Sequence, residues 1–386
     1  MPHQFICYCD NPRNIPPSMK RALVEIPAVP ENTAALPVAQ TPFDRERQKR
    51  IEVIRAGNAI VQPPFNIANN RYPQDTVRLA EGKDRIHTYF DLADHGARFS
   101  SVSKVLETIF PHGDLIEKNR ERWQANDKSK YHGMTDAKTQ ENWDYRRDRG
   151  TINHEMLELF FLDKLPLEEL CHAALLVLEH LATDSCFTHL RVKRVEHTLF
   201  DRTTRLSGTG DVTFEVLEGD TSYEAGTLVI GDWKFNGALV GPKNGIPMAF
   251  NNWKTNTRVV EYANEPFRDI QLCNVMQYKC QMHYYGGMYE RNYGEKVSAC
   301  INIHCNPDGI IMYGIGKETP PLVSIIWKYD PILTQRLFHY RMTQLLGRSK
   351  DERGRTIPTE EIDPLHALKD VVPPPEVLAE WALTEW

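Results

Sequence analysis

Three acidic side chains and one lysine lie in stretches of alternating polarity that predict neighbouring β-strands. Asp211 follows a run of small residues, and Asp232 and Lys234 flank Trp233. Because side chains alternate between the faces of a strand, Asp232 and Lys234 share one face while Trp233 points to the other. Glu196 lies on the strand before Asp211. If Asp211 pairs beside the Asp232 strand, two carboxylates and an ammonium group converge on one patch.

Such a patch would bind a divalent cation. Two carboxylates this close repel each other unless a cation lies between them, and their oxygens suit Mg²⁺ or Mn²⁺. The lysine could orient or deprotonate a water molecule, or stabilise negative charge that develops during a reaction. An Asp-x-Lys pattern alone is also compatible with an ordinary surface salt bridge, so the surrounding motifs must separate the two interpretations.

Five short motifs follow one another over residues 150–290. They are a Gly-x-x-x-His-x-x-x-Glu helix, a glutamate strand, a small-residue approach to an aspartate, an Asp-x-Lys strand and a Gln-x-x-x-Tyr helix. Their residues are Gly150, His154, Glu158, Glu196, Gly208, Gly210, Asp211, Asp232, Lys234, Gln281 and Tyr285. In this order they resemble the PD-(D/E)xK nuclease superfamily, and within it the RecB-like exonuclease branch. Residues 101–103 and 131–143 look similar to nucleases of this branch from large DNA viruses, whereas residues 1–98 and 350–386 have no counterpart.

The resemblance implies a site for Mg²⁺ or Mn²⁺. His154 would bind the metal through one ring nitrogen, and Glu158, one helical turn later, would hold the other nitrogen or contact the metal. Asp211 would bridge metal and phosphate, while Asp232 and the backbone carbonyl of Trp233 would complete the ligands. Without this context, His154 would be interpreted as an ordinary packed or exposed histidine. No phosphate-binding loop, zinc site or iron–sulfur motif is indicated.

The other residues implied by the resemblance act on water and on the nucleic acid. Lys234 would position the water, and Glu196 would be either a metal ligand or a base beside the ligands. Gln281 and Tyr285 lie four residues apart on one helix face, so they would contact the DNA backbone or Lys234. Tyr285 could instead pack in the core.

A polar stretch at residues 118–149 is the best candidate for a surface that faces nucleic acid. It interleaves cations with tryptophans and tyrosines and ends in Arg146, Arg147 and Arg149, a composition typical of single-strand binding surfaces. The net charge of the chain is −6, so attraction for DNA must come from such a local surface. A solvated pair of helices would have the same composition.

The hydrophobic periodicity predicts an α/β fold. Predicted helices are 150–163, 167–182, 269–290 and 331–346, with a capped helix start at 99–103, and predicted strands are 192–201, 205–216, 226–235, 297–304 and 310–313. The order of helix, three-strand antiparallel meander, helix and strand is an α/β core. The resemblance implies that this core is restriction-endonuclease-like, with helical additions on its N-terminal side.

Composition divides the 386 residues into three parts. Residues 1–98 are a proline-rich, partly irregular arm, and residues 350–386 are a C-terminal tail. The resemblance implies that residues 99–349 are the nuclease domain, with 99–149 as its helical DNA-facing segment. The arm or the tail could hold a protein partner. No apolar run is long enough for a transmembrane helix, so we expect no membrane partner. The N-terminus lacks the features of a secretory signal, so we expect an intracellular protein, in the cytoplasm or nucleus of a host cell if viral.

The sequence therefore predicts a metal-dependent deoxyribonuclease, specifically an exonuclease, that acts in DNA processing, recombination or repair. Two alternatives stay open: a catalytically inactive nucleic-acid-binding or assembly protein on the same fold, and a relative that cuts RNA. The intact Asp211, Asp232 and Lys234 argue against the inactive protein, because a decayed site usually loses one of the three. Nothing in one sequence distinguishes RNA from DNA as the substrate.

Overall fold

The computed structural model of the protein describes thirteen stretches of the chain. They are residues 42–65, 67, 72, 75–81, 87–94, 97–111, 115–127, 129, 131–235, 251–252, 257–258, 261–305 and 322–347. The predicted strand at 310–313, the first part of the predicted arm and the predicted tail lie outside the described residues.

Helices and strands alternate along the described residues. The helices are α1 (Pro42–Ala56), α2 (Val102–Ile109), α3 (Leu115–Ala125), α4 (Asp136–Phe161), α5 (His172–Thr183), α6 (Asn274–Tyr293) and α7 (Pro331–Gly347). The strands are β1 (Val77–Glu81), β2 (His87–Asp91), β3 (Ala97–Ser101), β4 (Leu190–Asp201), β5 (Leu206–Val216), β6 (Leu228–Lys234), β7 (Asn251–Asn252), β8 (Thr257–Arg258), β9 (Val297–Cys305) and β10 (Leu322–Lys328).

Strands β4, β5 and β6 form the antiparallel meander that the alternating sequence predicted. Strand β6 is buried from Leu228 to Trp233, as expected for an apolar strand covered on both faces. Strand β9 lies parallel to β6, with Asn302 opposite Asp232. Helix α6 lies between these two strands in the chain, and a parallel pair needs such a long connection.

The meander belongs to a mixed sheet of eight strands. The hydrogen-bonded order is β1-β2-β3-β5-β6-β9-β10, and β4 pairs with β5 outside this path. Strand β3 runs parallel to the beginning of β5, with Ser100 opposite Leu206. The predicted α/β class is therefore confirmed, and the sheet is wider than the predicted core because it also includes β1, β2, β3 and β10.

Helices cover both faces of this sheet. Helices α1, α4 and α5 share one apolar cluster with the sheet, in which Phe161 stacks on Trp233 with ring centroids 6.2 Å apart. Helices α2, α6 and α7 share the other, and the Tyr284 hydroxyl donates to the carbonyl of Leu337 at 2.8 Å. Truncating a buried aromatic such as Phe161 to alanine costs about 3–5 kcal/mol. The two layers therefore hold the central strands, and with them the charged residues of the meander, in one place.

The described part of the predicted N-terminal arm packs on the rest of the protein. Ile51 and Ile54 of α1 are buried in the cluster that contains α5. Strands β1, β2 and β3 extend the sheet through antiparallel pairs. Strands of five residues contain too few alternations to stand out beside proline-rich sequence, so their period is weak. The predicted capped helix start is confirmed, because the Ser101 side chain accepts a hydrogen bond from the Lys104 backbone at 3.2 Å.

Three helices begin at other residues than predicted, and one of them is α6, which begins at Asn274 and not at Asp269. The predicted helix at 150–163 is the C-terminal half of the longer α4, whose N-cap Thr135 accepts a hydrogen bond from the Lys138 backbone. Helix α5 begins at His172, because a 3₁₀ turn at Leu167–Glu169 follows Pro166. None of the described helices combines the length and apolar character needed to cross a membrane.

His283 is a buried histidine of α6, and in its neutral form both ring nitrogens make hydrogen bonds. Nδ1 donates to the carbonyl of Lys279 at 2.7 Å, and Nε2 accepts from the backbone N–H of Asp330 at 3.1 Å. Burial lowers the pKa of His283 to about 4. A proton on Nε2 would break the bond to Asp330, the residue before α7.

We expect acid to destabilise the protein through His283. Its folded pKa of about 4 lies below the ordinary value of 6.5, so the unfolded chain binds more protons between these values. The stabilisation is complete above the ordinary pKa, is lost as pH falls towards 4, and amounts to up to about 3 kcal/mol. Thermal unfolding of wild type and His283→Gln at several pH values measures it. The stability advantage of the wild type should shrink in acid, and parallel curves would refute the assignment.

Candidate functional site

The candidate site lies where β5 and β6 separate. Their pairing ends with Val212 opposite Gly231, so Asp211 and Asp232 are the next residues on the two diverging strands. The backbone N–H of Trp233 donates to Oδ2 of Asp211 at 2.9 Å. The Asp211 carboxylate thus accepts the backbone hydrogen bond that a carbonyl group would accept in a paired strand. This bond from β6 fixes the position of the carboxylate.

Nδ1 of His154 lies beside two carboxylates. It is 3.5 Å from Oε1 of Glu196 and 3.6 Å from Oδ2 of Asp211. Potential ligand atoms of these three residues lie within 4.8 Å of one another, a spacing that one cation can bridge. An imidazole and two carboxylates form a donor set that suits Mn²⁺, and their oxygens suit Mg²⁺. The side chains of His154 and Glu196 are about a quarter exposed, so the group is accessible from solvent.

Glu196 has an unusual backbone conformation for a residue within a strand. Its φ of 43° lies in the left-handed region, which non-glycine residues rarely adopt. The pairing of β4 with β5 also shifts between Val192 and Arg194, a short distance before it. Such a conformation costs about 1–3 kcal/mol and is found most often at functional sites. Here it accompanies the placement of the Glu196 carboxylate beside His154.

Lys234 lies between two carboxylates. Its Nζ donates to Oδ1 of Asp232 at 2.6 Å and lies 3.9 Å from Oδ2 of Asp211. The same Nζ is 4.9 Å from the centre of the Tyr278 ring, within the range of a cation–π contact. The other oxygen of Asp232 accepts a hydrogen bond from Nδ2 of Asn302 at 2.9 Å. Since Asp232 is 1% and Lys234 16% exposed, the Asp-x-Lys pair is a buried ion pair and not an ordinary surface salt bridge.

The pKa values of Asp232, Lys234 and His154 are all raised. The cluster therefore favours bound protons or another positive charge. Burial raises the pKa of Asp232 to about 6, with Asp211 adding to the rise and Lys234 opposing it. Burial alone would lower the pKa of Lys234 and of His154. The neighbouring carboxylates outweigh this effect and raise the pKa of both bases. Lys234 is therefore held protonated, and a divalent cation would relieve the same excess of negative charge.

Glu158 lies one turn after His154 on α4. Within the described residues, the group whose ligand atoms lie within 4.8 Å of one another contains neither Glu158 nor Asp232. Burial raises the pKa of Glu158 to about 7, and Glu196 adds to the rise. A carboxyl group with such a pKa can exchange a proton near neutral pH. Metal binding by Glu158, Asp232 or the carbonyl of Trp233 stays a prediction.

Gln281 and Tyr285 lie on one face of α6, as their spacing predicted, and Nε2 of Gln281 donates to the Tyr285 hydroxyl at 2.9 Å. Tyr285 is only 3% exposed. Its ring packs over Gly208, where an added Cβ would lie 2.6 Å from a ring atom, which explains the glycine at this position. Tyr285 therefore packs in the core and supports Gln281 from there. The contact of this pair with DNA stays a prediction, and the half-buried Gln281 is the more accessible member.

The aromatic residues of the predicted DNA-facing stretch contact one another. Trp123 of α3 packs on Tyr131 and Trp143 with ring centroids 4.5 and 5.9 Å apart. Nε1 of Trp143 donates to the Tyr131 hydroxyl at 2.9 Å. All three side chains are half-buried. These rings therefore join α3 to α4, a structural role that composition alone does not reveal.

The three arginines of this stretch lie on the helix that carries His154. Arg147 is exposed and pairs with Asp144 at 3.0 Å, while Arg146 and Arg149 are half-buried. Arg147 precedes His154 by two helical turns, so the two lie on one face of α4, about 10 Å apart along its axis. A nucleic-acid backbone could therefore contact α4 and reach the site. DNA binding by Arg146, Arg147 and Arg149 stays a prediction.

Sequence reasoning missed two residues of the site, Asn302 and Tyr278. Asn302 becomes a neighbour of Asp232 through the parallel pairing of β6 with β9, and a single sequence does not show that register. One signal was present, because Asn302 is a polar residue between two isoleucines, Ile301 and Ile303. Tyr278 precedes Gln281 by one turn of α6, and its position over Lys234 depends on how the helix packs.

Comparisons with known proteins do not assign the chain to a family. No protein-family model matches it, and the search of curated proteins finds no significant relative.

Proposed function

We propose that the protein is a metal-dependent nuclease that hydrolyses phosphodiester bonds in DNA. One observation carries the proposal: residues from a helix and three strands meet where β5 and β6 separate. His154, Glu196 and Asp211 form a group that suits a divalent cation, and Asp211 lies beside the ion pair of Asp232 and Lys234. Carboxylates, an imidazole and a protonated lysine together suit the cleavage of an anionic ester.

The fold supports the finer assignment that the motifs suggested. Helix α4, the meander β4–β6, helix α6 and strand β9 follow one another in the order expected of a restriction-endonuclease-like core. The motif residues lie on the elements on which that resemblance expects them. We therefore propose membership of the PD-(D/E)xK superfamily, in its RecB-like exonuclease branch.

His154, Glu196 and Asp211 would hold Mg²⁺ or Mn²⁺, with Asp232 next to them. When bound, such an ion would polarise the phosphate and favour the deprotonation of an attacking water. This donor set has the chemistry that such an ion requires, as the three converging ligand atoms indicate.

Other residues would orient the reactants and stabilise charge. Hydrolysis joins a water oxygen to phosphorus and breaks the bond from phosphorus to the 3′ oxygen, so the water loses a proton and the leaving oxygen gains one. Lys234 is held protonated by Asp232 and Asp211, so it would donate to a phosphate oxygen or to water. Glu158, with a pKa of about 7, can take up or release a proton at neutral pH.

The proposed substrate is DNA, single- or double-stranded, and the proposed mode is removal of nucleotides from an end. Digestion of end-labelled single-stranded and duplex DNA, of circular DNA and of RNA with Mg²⁺, Mn²⁺ or EDTA tests these points together, with a binding assay on the same nucleic acids. We expect cleavage with either ion, none with EDTA, and resistance of circular DNA. Binding without cleavage would favour the inactive alternative, and cleavage of RNA alone would favour the RNA-cutting one.

Neutralising Arg146, Arg147 and Arg149 together should weaken DNA binding. If each contacts a phosphate, the log–log slope of affinity against salt should fall by about two to three, at about 0.9 per contact for duplex and 0.7 for single strands. Turnover at saturating DNA should change much less, because phosphate contacts position the backbone. Fluorescence anisotropy at several salt concentrations measures the slope.

A matched control removes the same charge from α1, by replacing the exposed Arg45, Lys49 and Arg55 with alanine. This control should leave the slope unchanged. An unchanged slope in the Arg146, Arg147 and Arg149 variant would mean that this face of α4 is simply solvated.

A further inference from the structure

We propose that Asn302 is a positioning residue that fixes the carboxylate of Asp232 for cation binding. The proposal rests on the proposed metal site. It assigns a role to a residue of β9 that lies outside the group formed by His154, Glu196 and Asp211. Its basis is a single geometric relation: each oxygen of Asp232 has a different partner. Lys234 donates to Oδ1 at 2.6 Å, and Asn302 donates to Oδ2 at 2.9 Å.

The strand register brings Asn302 to this position. Asp232 and Asn302 are opposite each other in the parallel pair of β6 and β9, and side chains at paired positions project to the same face. Both side chains are buried, with Asn302 0% and Asp232 1% exposed. Neighbouring backbone bonds and the packing of Ile301 and Ile303 hold the strand. Asn302 therefore offers its amide to Asp232 from a rigid support.

The other end of the Asn302 side chain indicates that the contact with Asp232, and not the packing of the strand, accounts for this residue. Among the described residues, no donor reaches its buried Oδ1. A buried acceptor without a partner destabilises a protein, whereas an apolar side chain would fit a strand whose neighbours are isoleucines. Rotating the amide would not help, because Oδ1 would then face the Asp232 carboxylate. The contact that Asn302 does make is the one with Asp232.

Asn302 restricts how the Asp232 carboxylate can turn beside the proposed cation site. Asn302 holds Oδ2 and with it the plane of the carboxylate, and Lys234 holds Oδ1. Oδ1 is therefore set on the side of Lys234, which also lies 3.9 Å from Oδ2 of Asp211. Without Asn302 the carboxylate could rotate, and the cation would meet a ligand that is no longer held in place.

The test is Mn²⁺ binding to the full chain by titration calorimetry, without DNA. Asn302→Leu keeps the number and branching of the side-chain heavy atoms and removes the donor, and we expect its Mn²⁺ affinity to fall by about tenfold to a hundredfold. Asn302→Thr retains a donor and should recover part of that loss. With DNA, kcat should fall at low Mn²⁺ while KM for DNA stays within about twofold, because Asn302 is fully buried.

Thr213→Val is the matched control. Thr213 is also buried on a central strand, but its hydroxyl contacts Tyr289 at 2.9 Å and not the site. This control should keep the Mn²⁺ affinity of the wild type, and unfolding temperatures in EDTA identify any variant that fails to fold. If Asn302→Leu does not fold, the Mn²⁺ affinities of Asn302→Thr and Asn302→Ala are compared instead. Threonine retains a donor at this position and alanine does not.

The outcomes separate this proposal from the proposed function. Folded Asn302 variants that bind Mn²⁺ within twofold of the wild type would overturn the role of Asn302, even if the wild type cleaves DNA. A wild type that binds Mn²⁺ but cleaves no nucleic acid would overturn the nuclease. In that case a weaker Mn²⁺ affinity of Asn302→Leu would still support the positioning of Asp232.

Discussion

Replacing Lys234 by alanine is expected to lower the rate of DNA cleavage by about three orders of magnitude while the protein stays folded. Lys234 is the protonated group beside the two aspartates, so its loss removes a donor that acts mainly as charge develops in the transition state. It also leaves Asp211 and the buried Asp232 without their shared counter-ion. Single-turnover cleavage of end-labelled DNA at saturating Mg²⁺ measures the effect.

Lys296→Ala is the matched control for this substitution. Lys296 also pairs with a carboxylate, Glu224, at 2.7 Å, but both side chains are more than half exposed and the pair lies outside the site. This control should cleave DNA like the wild type, because exposed ion pairs contribute little. A folded Lys234→Ala protein with cleavage within tenfold of the wild type would remove Lys234 from the proposed mechanism. Lys234→Met, which retains more of the side-chain volume, covers the case in which the alanine variant unfolds.

The strand positions of the site were predictable because strand geometry is simple. Alternation alone placed Asp232 and Lys234 on one face, and β6 has them there, with Trp233 on the opposite face against Phe161. The meander was also predictable, since its three strands are long and regularly patterned. In these strands the local sequence and the tertiary packing agree, so the alternation of polar and apolar residues was sufficient to predict them.

The rest of the site depends on relations that a single sequence does not contain. Asn302 contacts Asp232 only because β9 pairs with β6 in one particular register, and a shift of one residue would turn it to the other face. The left-handed backbone of Glu196 is not encoded by residue type, since glycine is the usual residue there. Similarly, the predicted DNA-facing aromatics Trp123 and Trp143 contact each other because α3 packs on α4. Composition could not separate that packing from a surface for bases.

Replacing His154 by alanine is expected to weaken Mn²⁺ binding and to reduce cleavage most strongly at low metal concentration. His154 supplies the single nitrogen of the group, and its Nδ1 lies within 3.6 Å of both Glu196 and Asp211. Without it, two carboxylates remain, so a metal site of lower affinity persists and raising Mn²⁺ should restore part of the activity. Calorimetric titration of Mn²⁺, together with cleavage rates over a range of Mn²⁺ concentrations, measures both effects.

His189→Ala is the control for the loss of an imidazole beside a carboxylate. His189 lies 3.2 Å from Glu218 at a more exposed position, and neither residue belongs to the site. The His189→Ala control should bind Mn²⁺ and cleave DNA like the wild type. Rescue by Mn²⁺ is the informative result, because a defect in packing would not respond to metal concentration, whereas a missing ligand does.

A structure with Mn²⁺ bound between the carboxylates and the imidazole more than about 4 Å away would contradict ligation, since bonded metal–nitrogen distances are about 2.1 Å. His154 would then act on Glu196 and Asp211 only through charge, and those two carboxylates, with Asp232, would have to hold the ion.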